Sequence, residues 1–354
     1  MNKLETELSK LISDEKSPSV QYAWFDKDEV RQRYTYGLAN VKDQVVADAQ
    51  TTYHGFSTTK TFTAVAVLQL AEAGKVDINA PAQKYLPDFP YTGDITVKHL
   101  LNHTAGIPNP VPLSWIHLES EHAAYNRNDF FKPIMAKHHA VKAKPNEKFA
   151  YSNLGYILLG QLIEQVSGMS YEGYIEEYIL RRIGLGPGQL GFTILDQARN
   201  ATGYHKKSSF SSLILGLFLD KSKYMGEPEG PWKPFRDYYV NGAPYGGLIG
   251  TADAYVRYVQ ELLKPDGALL SPEYKCLLFV ENHTANGKPT GMCLSWYTGV
   301  LDGHRYYTHA GGGGGYYCEI RIYPERGVGS VVMFNRTGMT DERYLDKPDR
   351  LNEK

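Results

Sequence analysis

The sequence has few cysteines and no excess of charge of either sign, and both properties argue against particular classes of protein. Only three of its 354 residues are cysteine, Cys276, Cys293 and Cys318, without metal-ligand spacing or a framework of pairs, so we expect buried, reduced thiols. The sequence has 38 basic and 39 acidic residues, which gives a formal net charge of -1. Such a balance gives no excess of positive charge for a polyanion or an anionic membrane surface. Nucleic acid is therefore not an expected partner.

Long apolar runs are missing as well. No run approaches the roughly 20 residues that span a bilayer, and the charged N-terminal segment lacks the continuous apolar core of a signal peptide. The sequence predicts a cytoplasmic protein, but a periplasmic or secreted form already trimmed of its signal would look the same. No His, Cys or carboxylate cluster has ligand spacing, so no metal or cofactor is expected. The oligomeric state is left open.

The order of patterns along the chain predicts an α/β fold of the α+β type. Alternating aromatic and β-branched runs in residues 19–53 and again in 291–335 are typical of antiparallel strands, whereas the middle is mainly helical. We therefore expect one antiparallel sheet, built from both ends of the chain and flanked by helices. It would form a domain of residues 1–75 and 245–354, with a mainly helical domain of residues 76–244 inserted.

Two stretches of the middle region are uneven. Residues 108–150 are rich in Pro, His and Asn and predict a long irregular segment. Residues 205–243 hold an apolar run followed by a turn-rich aromatic stretch. Its apolar side chains could form a lid or acyl pocket over a cleft, or they could fill the core between domains: Leu213, Ile214, Leu215, Leu217, Phe218 and Trp232.

The segment 56–71, FSTTKTFTAVAVLQLA, places a serine and a lysine one turn apart at the start of a helix. Apolar residues cover nearly its whole circumference, so the helix and Lys60 are predicted to be buried. Ser57 lies at the N-terminus, where free N–H groups favour developing negative charge. A buried lysine has a lowered pKa and can act as a base toward a neighbouring hydroxyl.

The alternative interpretation of this pair is structural. Ser57 could cap the helix while Lys60 extends to the surface. The same spacing occurs at Ser13 and Lys16 in a charged segment, so spacing alone does not identify a nucleophile. The context distinguishes Ser57, because strands precede it and a buried helix follows it.

Two later stretches could complete an acyl-transfer site. Tyr151 and Asn153 lie just before a helix, where a phenol and an amide would project together. His309 begins a strand-like run, and Gly311 opens five consecutive glycines that would let a substrate approach backbone N–H groups. The alternatives are a packing tyrosine and a flexible hairpin.

Five blocks in order resemble the serine β-lactamase-like hydrolases and penicillin-recognising enzymes. They are FSTTK, LLNHTAGIP, FAYSNLGYILLG, YGGLIGTADAYVRYVQELL and HAGGGGGYYCEIRIYPERGVGSVVMFN. The Ser-x-x-Lys signature is shared by related enzymes. The resemblance is to the branch with class C β-lactamases, D,D-peptidases and esterases, and it implies a β-lactamase/transpeptidase-like fold.

The resemblance also implies roles for the residues named above. Ser57 would be the nucleophile, Lys60 and Tyr151 would handle its proton, and Asn153 would bind the acyl side of the substrate. His309 would line the opposite wall.

The oxyanion would be held by the backbone N–H groups of Ser57 and Gly312, with Gly311 beside them on the strand.

One departure bears on the substrate. The β-lactamase branch carries Lys-Thr-Gly or Lys-Ser-Gly where this chain has His309, Ala310 and Gly311. Without a fixed cation and a hydroxyl, the site is less suited to a substrate carboxylate. We therefore expect a serine hydrolase of carboxylic esters. The alternatives are a β-lactamase, a D,D-peptidase or D-amino-acid amidase, and a non-catalytic penicillin-binding or scaffolding protein, and each would take a small-molecule ester, amide or β-lactam.

Overall fold

The computed structural model describes residues 2–207, 219–337 and 343–352. Its α-helices, in chain order, are α1 Lys3–Ser13, α2 Thr59–Glu72, α3 Val97–Leu101, α4 Arg127–Lys137, α5 Asn153–Ser167, α6 Tyr171–Ile175, α7 Lys221–Tyr224, α8 Ala243–Gly246, α9 Ala252–Leu263, α10 Pro272–Leu277 and α11 Asp346–Asn352. Its strands are β1 Ser19–Asp26, β2 Val30–Asn40, β3 Val45–Val46, β4 Tyr53–His54, β5 Ile116–Leu118, β6 Leu190–Gly191, β7 Tyr204–Lys206, β8 Trp232–Pro234, β9 Tyr238–Val240, β10 Ile249–Gly250, β11 Tyr297–Leu301, β12 His304–Gly313, β13 Tyr316–Tyr323 and β14 Val328–Phe334.

The main sheet joins the two ends of the chain. Its seven strands lie in the order β11-β12-β13-β14-β1-β2-β3, and neighbouring strands are antiparallel. Strand β1 pairs with β14, so the N-terminal and C-terminal strand runs form one sheet. The predicted α/β fold with an antiparallel sheet flanked by helices is confirmed. The division into two domains at residues 75 and 245 stays a prediction.

Different helices cover the two faces of this sheet. Successive side chains of a strand point to opposite faces, so each strand contributes residues to both. On one face, Cys318 and Ile320 of β13 belong to the large core that also contains the buried helix α2. On the other face, Tyr317 and Tyr323 pack with Leu8 of α1. The larger core, which contains α2, therefore lies on the face of the sheet to which Cys318 and Ile320 point.

Two predictions for the middle and the cysteines were wrong. The segment 108–150 is not wholly irregular, because it contains β5 and the eleven-residue helix α4. Asn126 caps α4 by accepting from the N–H of Asp129, while Pro133 inside the helix obscured its pattern. Cys293 and Cys318 are buried as expected, but Cys276 is exposed.

The insertion 205–243 is described only in part. Trp232, on β8, is buried, and its ring centroid lies 6.3 Å from that of Tyr204. The other apolar side chains predicted to form a lid or core lie outside the described residues: Leu213, Ile214, Leu215, Leu217 and Phe218.

A buried guanidinium ties α11 to the sheet. Arg321 on β13 is fully buried, and its Nη2 lies 2.9 Å from Glu319 Oε1. Its Nη1 lies 2.7 Å from Asp346 Oδ1 and 3.5 Å from Asp349 Oδ2, both on α11. Burial raises the pKa of Glu319 to about 7 and that of Asp349 to about 6 against the opposing effect of Arg321. Within the described residues, Arg321 is therefore the counter-charge of Glu319 and Asp349.

We expect Arg321→Leu to lower the free energy of unfolding by about 3–5 kcal/mol, because it leaves buried carboxylates without their counter-charge. Urea denaturation measures this loss. The matched control is Arg350→Leu, since Arg350 pairs with Asp302 and both side chains are about half exposed. A surface pair of this kind contributes about 0–1 kcal/mol. Equal losses in the two variants would contradict the assignment.

Candidate active site

Ser57 lies where β4 passes into the buried helix α2. A 3-10 turn, Phe56–Thr58, joins the two elements, and Phe56 has a left-handed backbone with φ 47°. Ser57 lies within this turn, at the start of the helical segment, and is half-buried. Every residue of α2 except Gln69 and Glu72 is buried, as the apolar pattern predicts.

The structure brings Ser57, Lys60 and Tyr151 together. Lys60 Nζ lies 3.0 Å from Ser57 Oγ, and Tyr151 OH lies 3.0 Å from the same oxygen. Lys60 also donates to the backbone oxygen of Tyr245 at 2.8 Å. The serine oxygen is therefore held between an amine and a phenol, both of which can exchange protons with it.

Lys60 is fully buried, and within the described residues its amine donates to a hydroxyl and a carbonyl oxygen instead of a carboxylate. Three aromatic rings surround its Nζ, with centroids 4.9 Å away for Tyr151, 5.5 Å for Tyr156 and 5.2 Å for Tyr245. Burial holds the pKa of Lys60 well below its ordinary value. The predicted burial of this lysine is confirmed.

Helix α5 places Tyr151 and Asn153 at the same wall of the site. Ser152 caps the helix by accepting from the N–H of Gly155 at 3.2 Å, so the residues on either side of Ser152 are fixed. Asn153 is buried, and its backbone N–H donates to Asn109 Oδ1 at 3.0 Å. Its own Oδ1 is buried and has no hydrogen-bond partner in the structure. That oxygen is an acceptor suited to a ligand donor.

His309 lies inside β12 and is fully buried, whereas the sequence predicted that it begins the strand. Its Nδ1 lies 2.5 Å from the backbone oxygen of Ser295, so Nδ1 carries the proton. Its Nε2 is then an acceptor, and it has no partner in the structure. Burial, with a smaller effect of Lys60, lowers the pKa of His309 to about 3. The imidazole is therefore neutral.

Strand β12 contacts the turn of Ser57 through Gly311. A Cβ at Gly311 would lie 2.2 Å from the backbone oxygen of Gly55 and 2.5 Å from the backbone nitrogen of Ser57. Only glycine allows this approach. Gly312 is the next residue, exposed and opposite Tyr317 of β13.

Ala310 packs against the apolar cluster on the opposite face, so its missing hydroxyl does not bear on the Ser57 side as the sequence argument assumed.

Sequence reasoning assigned no role to His103, Tyr245 or Ser295, all of which contact the site. The backbone oxygens of Tyr245 and Ser295 accept from Lys60 and His309, and a residue type does not reveal such carbonyl contacts. The ring of His103 packs against that of Tyr151, with centroids 4.2 Å apart and the planes tilted by 31°. His103 lies in the LLNHTAGIP block, which was the available signal.

The sheet with its helices, together with a Ser-x-x-Lys pair facing a Tyr-x-Asn motif, defines a protein of the serine β-lactamase and penicillin-binding fold. A protein-family model described as Beta-lactamase matches residues 1–352. The chain belongs to this family, which agrees with the resemblance seen in the sequence.

Two relatives match this chain over different lengths. Penicillin-binding protein 4* of Bacillus subtilis (strain 168) is 27% identical over 322 residues, 88% of this chain and 67% of that protein. Protein flp of Staphylococcus aureus (strain MW2) is 35% identical over 185 residues, 49% of this chain. The match spans only 35% of the length of protein flp.

Solved structures with less than 25% identity share the fold. The octameric penicillin-binding protein homologue from Pyrococcus abyssi has a TM-score of 0.80 at 24% identity, covering 99% of this chain and 76% of that one. D-amino acid amidase from Ochrobactrum anthropi SV3 has a TM-score of 0.77 at 19% identity, covering 99% and 96%. EstCE1, described as a hydrolase with promiscuous acyltransferase activity, has a TM-score of 0.77 at 18% identity, covering 99% of this chain and 96% of that one.

Within residues 2–207, 219–337 and 343–352, no group of three or more His, Cys, Asp or Glu side chains could together hold a metal ion. In that same part of the chain no helix is long and apolar enough to cross a membrane.

Gly311→Ala is expected to displace the backbone of Ser57, because the new methyl group would overlap the Ser57 nitrogen. A misplacement of this kind should slow covalent labelling of Ser57 by a fluorophosphonate by about 10²-fold. Gly191→Ala is the control, since a Cβ there meets nothing within 4 Å. Normal labelling of Gly311→Ala would show that β12 does not constrain Ser57.

Proposed function

We propose that this chain is a serine hydrolase that forms an acyl-enzyme on Ser57 and acts on carboxylic esters. The observation that supports this most is the position of Ser57 Oγ, 3.0 Å from the Nζ of a buried lysine and 3.0 Å from the Tyr151 hydroxyl. A buried amine with a lowered pKa can accept the serine proton at neutral pH. A lysine in water could not do so.

In this mechanism Ser57 Oγ attacks the ester carbonyl carbon while its proton passes to Lys60 Nζ. The backbone N–H groups of Ser57 and Gly312 hold the carbonyl oxygen as it becomes negative. The proton then passes to the departing alkoxide with the Tyr151 hydroxyl as relay, and an alcohol leaves. Water then attacks the acyl carbon while one of its protons passes to Lys60 Nζ. The bond between Ser57 Oγ and the acyl carbon breaks, the proton returns to Ser57 Oγ through the same groups, and the acid leaves.

Asn153 would orient the acyl side of the substrate. Its Oδ1 is buried beside the site and has no partner in the structure, a costly state for a polar atom that a ligand could relieve. A substrate hydroxyl, amine or amide N–H is a suitable donor for this oxygen.

His309 favours esters over substrates that carry a carboxylate. The imidazole is neutral, and its free nitrogen, Nε2, is an acceptor. An acceptor repels a carboxylate instead of binding it, whereas a lysine at this position would attract it. Penicillins and peptide C-termini both carry that carboxylate, so β-lactams and D,D-peptides are weaker candidates.

D-amino-acid amides are the second candidate. The two unpartnered acceptors, Asn153 Oδ1 and His309 Nε2, suit the N–H donors of an amine or amide as well as a hydroxyl. The fold is also shared with a D-amino acid amidase. A non-catalytic penicillin-binding role is the third candidate, but the grouping of Ser57, Lys60 and Tyr151 argues against it.

Ser57→Ala should reduce turnover of a nitrophenyl ester by about 10³-fold or more while the circular dichroism stays unchanged, as expected for a nucleophile. Ser13→Ala is the matched control, because Ser13 and Lys16 have the same spacing and are both exposed. Its turnover should equal that of the unmodified protein. Covalent labelling that persists at another serine in Ser57→Ala would refute the assignment, and labelling of the unmodified protein without turnover would favour the binder.

For the unmodified protein, we expect kcat/KM for a short nitrophenyl ester to exceed that for nitrocefin by at least about tenfold, about 1.4 kcal/mol of transition-state preference. His309→Lys should move this ratio toward nitrocefin, because it supplies a cation for the carboxylate. Both substrates and a D-amino-acid anilide are assayed side by side. If nitrocefin is hydrolysed faster than every ester tested, the ester proposal is wrong.

A further inference from the structure

His103 is a buried histidine for which the proposed mechanism has no role. It follows α3 and has a left-handed backbone with φ 58°. Such a conformation is uncommon for residues other than glycine, although Asn, Asp and His adopt it more often than most. Backbone strain of this kind persists only where the surrounding structure maintains it. The contacts of His103 therefore indicate what the strained conformation achieves.

Three contacts of His103 surround Tyr151. Its backbone oxygen accepts from the N–H of Ala150 at 2.7 Å. Its Nδ1 accepts from the N–H of Ser152 at 3.2 Å. Its ring lies over the Tyr151 ring, with centroids 4.2 Å apart and an interplanar angle of 31°. One histidine thus fixes the residue before Tyr151, the residue after it and the phenol ring itself.

The contact with Ser152 also fixes the protonation of His103. Because Nδ1 accepts a hydrogen bond, its lone pair is occupied and the single ring proton is on Nε2. Burial lowers the pKa of His103 well below its ordinary value, and Lys60 and His309 lower it further. A charged imidazole would lose the bond from Ser152 and would be a buried charge without a counter-charge. The ring is therefore neutral.

Simple packing does not account for this residue. Its ring also lies near Tyr156 and Phe149, at centroid distances of 5.0 Å and 6.0 Å, so an apolar aromatic residue could fill the space. A phenylalanine, however, has no acceptor for the Ser152 N–H. Histidine combines a flat ring, an acceptor at Nδ1 and tolerance of the left-handed backbone.

We propose that His103 is a positioning residue, which holds the backbone on both sides of Tyr151 and its ring so that the hydroxyl stays within hydrogen-bond distance of Ser57. This inference rests on the proposed function, in which Tyr151 relays protons of Ser57. His103 reaches the reaction only through Tyr151. Its loss should therefore slow the chemical step and leave substrate binding nearly unchanged.

Two substitutions separate the ring from the acceptor. His103→Phe keeps a stacked ring and removes the acceptor, whereas His103→Asn keeps a side-chain acceptor and tolerates a positive φ. We expect His103→Phe to lower kcat for a nitrophenyl ester by about tenfold, with KM changed by less than about twofold. His103→Asn should recover part of that loss. His139→Asn is the control, because His139 is exposed, and its kcat should not change.

A double-mutant cycle with Tyr151→Phe tests whether His103 acts through Tyr151. In the Tyr151→Phe background, His103→Phe should lower kcat by no more than about twofold. An undiminished loss in that background, or a kcat within about twofold of normal in the His103→Phe single variant, would overturn the proposal. If His103→Phe does not fold, as judged by near-UV circular dichroism, His103→Asn is measured in both backgrounds. A loss that disappears with Tyr151→Phe supports the proposal, and no loss or a persistent loss overturns it.

The rate of Ser57 labelling by a fluorophosphonate is measured in the same variants. Labelling needs no knowledge of the natural substrate, so a protein that is labelled but hydrolyses no ester would refute the ester proposal and still report on His103. Labelling that slows in His103→Phe only when Tyr151 is present supports positioning. Labelling that is unaffected by His103→Phe overturns it.

Discussion

The amine of Lys60 is buried, so it must make its hydrogen bonds within the protein. Its hydrogen-bond partners therefore determine which parts of the chain meet at the site. Its Nζ contacts Ser57 Oγ on its own helix and the backbone oxygen of Tyr245, far away in sequence. An uncompensated charge in such a place is costly, so the neutral form is favoured. Because Tyr245 belongs to α8, this contact requires α8 to pack beside α2. The burial that stabilises the helix thus also creates a base.

Strand β12 positions residues of the site on the other side of Ser57. Alternation places His309 and Gly311 toward the site and Ala310 toward the opposite core. Because β12 pairs with β13 and β13 pairs with β14, its position is fixed by the sheet that joins both ends of the chain. The pairing of the sheet therefore sets the position of the wall that faces Tyr151, including the backbone of Gly312.

Local features of the site could be predicted from the sequence, and contacts between distant backbone atoms could not. The Ser57–Lys60 pair lies on one helix whose burial follows from its apolar pattern, and the order of the five blocks indicated Tyr151 and His309. The antiparallel sheet was predicted from strand runs at both ends. Helix α4 was missed because Pro133 and polar residues hide its period. The exposure of Cys276 depends on which face of a short helix is covered, and its residue type gave the opposite expectation.

Backbone strain explains why the remaining part of the site is invisible in the sequence. Phe56, His103 and Ser295 have positive φ values of 47°, 58° and 68°, and none of them is glycine. Phe56 precedes Ser57, His103 contacts Tyr151, and the Ser295 carbonyl binds His309. Each strained conformation costs about 1–3 kcal/mol and is maintained by the surrounding packing. Tertiary structure thus sets the positions of these groups. Histidine tolerates a left-handed backbone better than most residues, but the types of Phe56 and Ser295 give no such signal, so the geometry of the site depends on the whole fold.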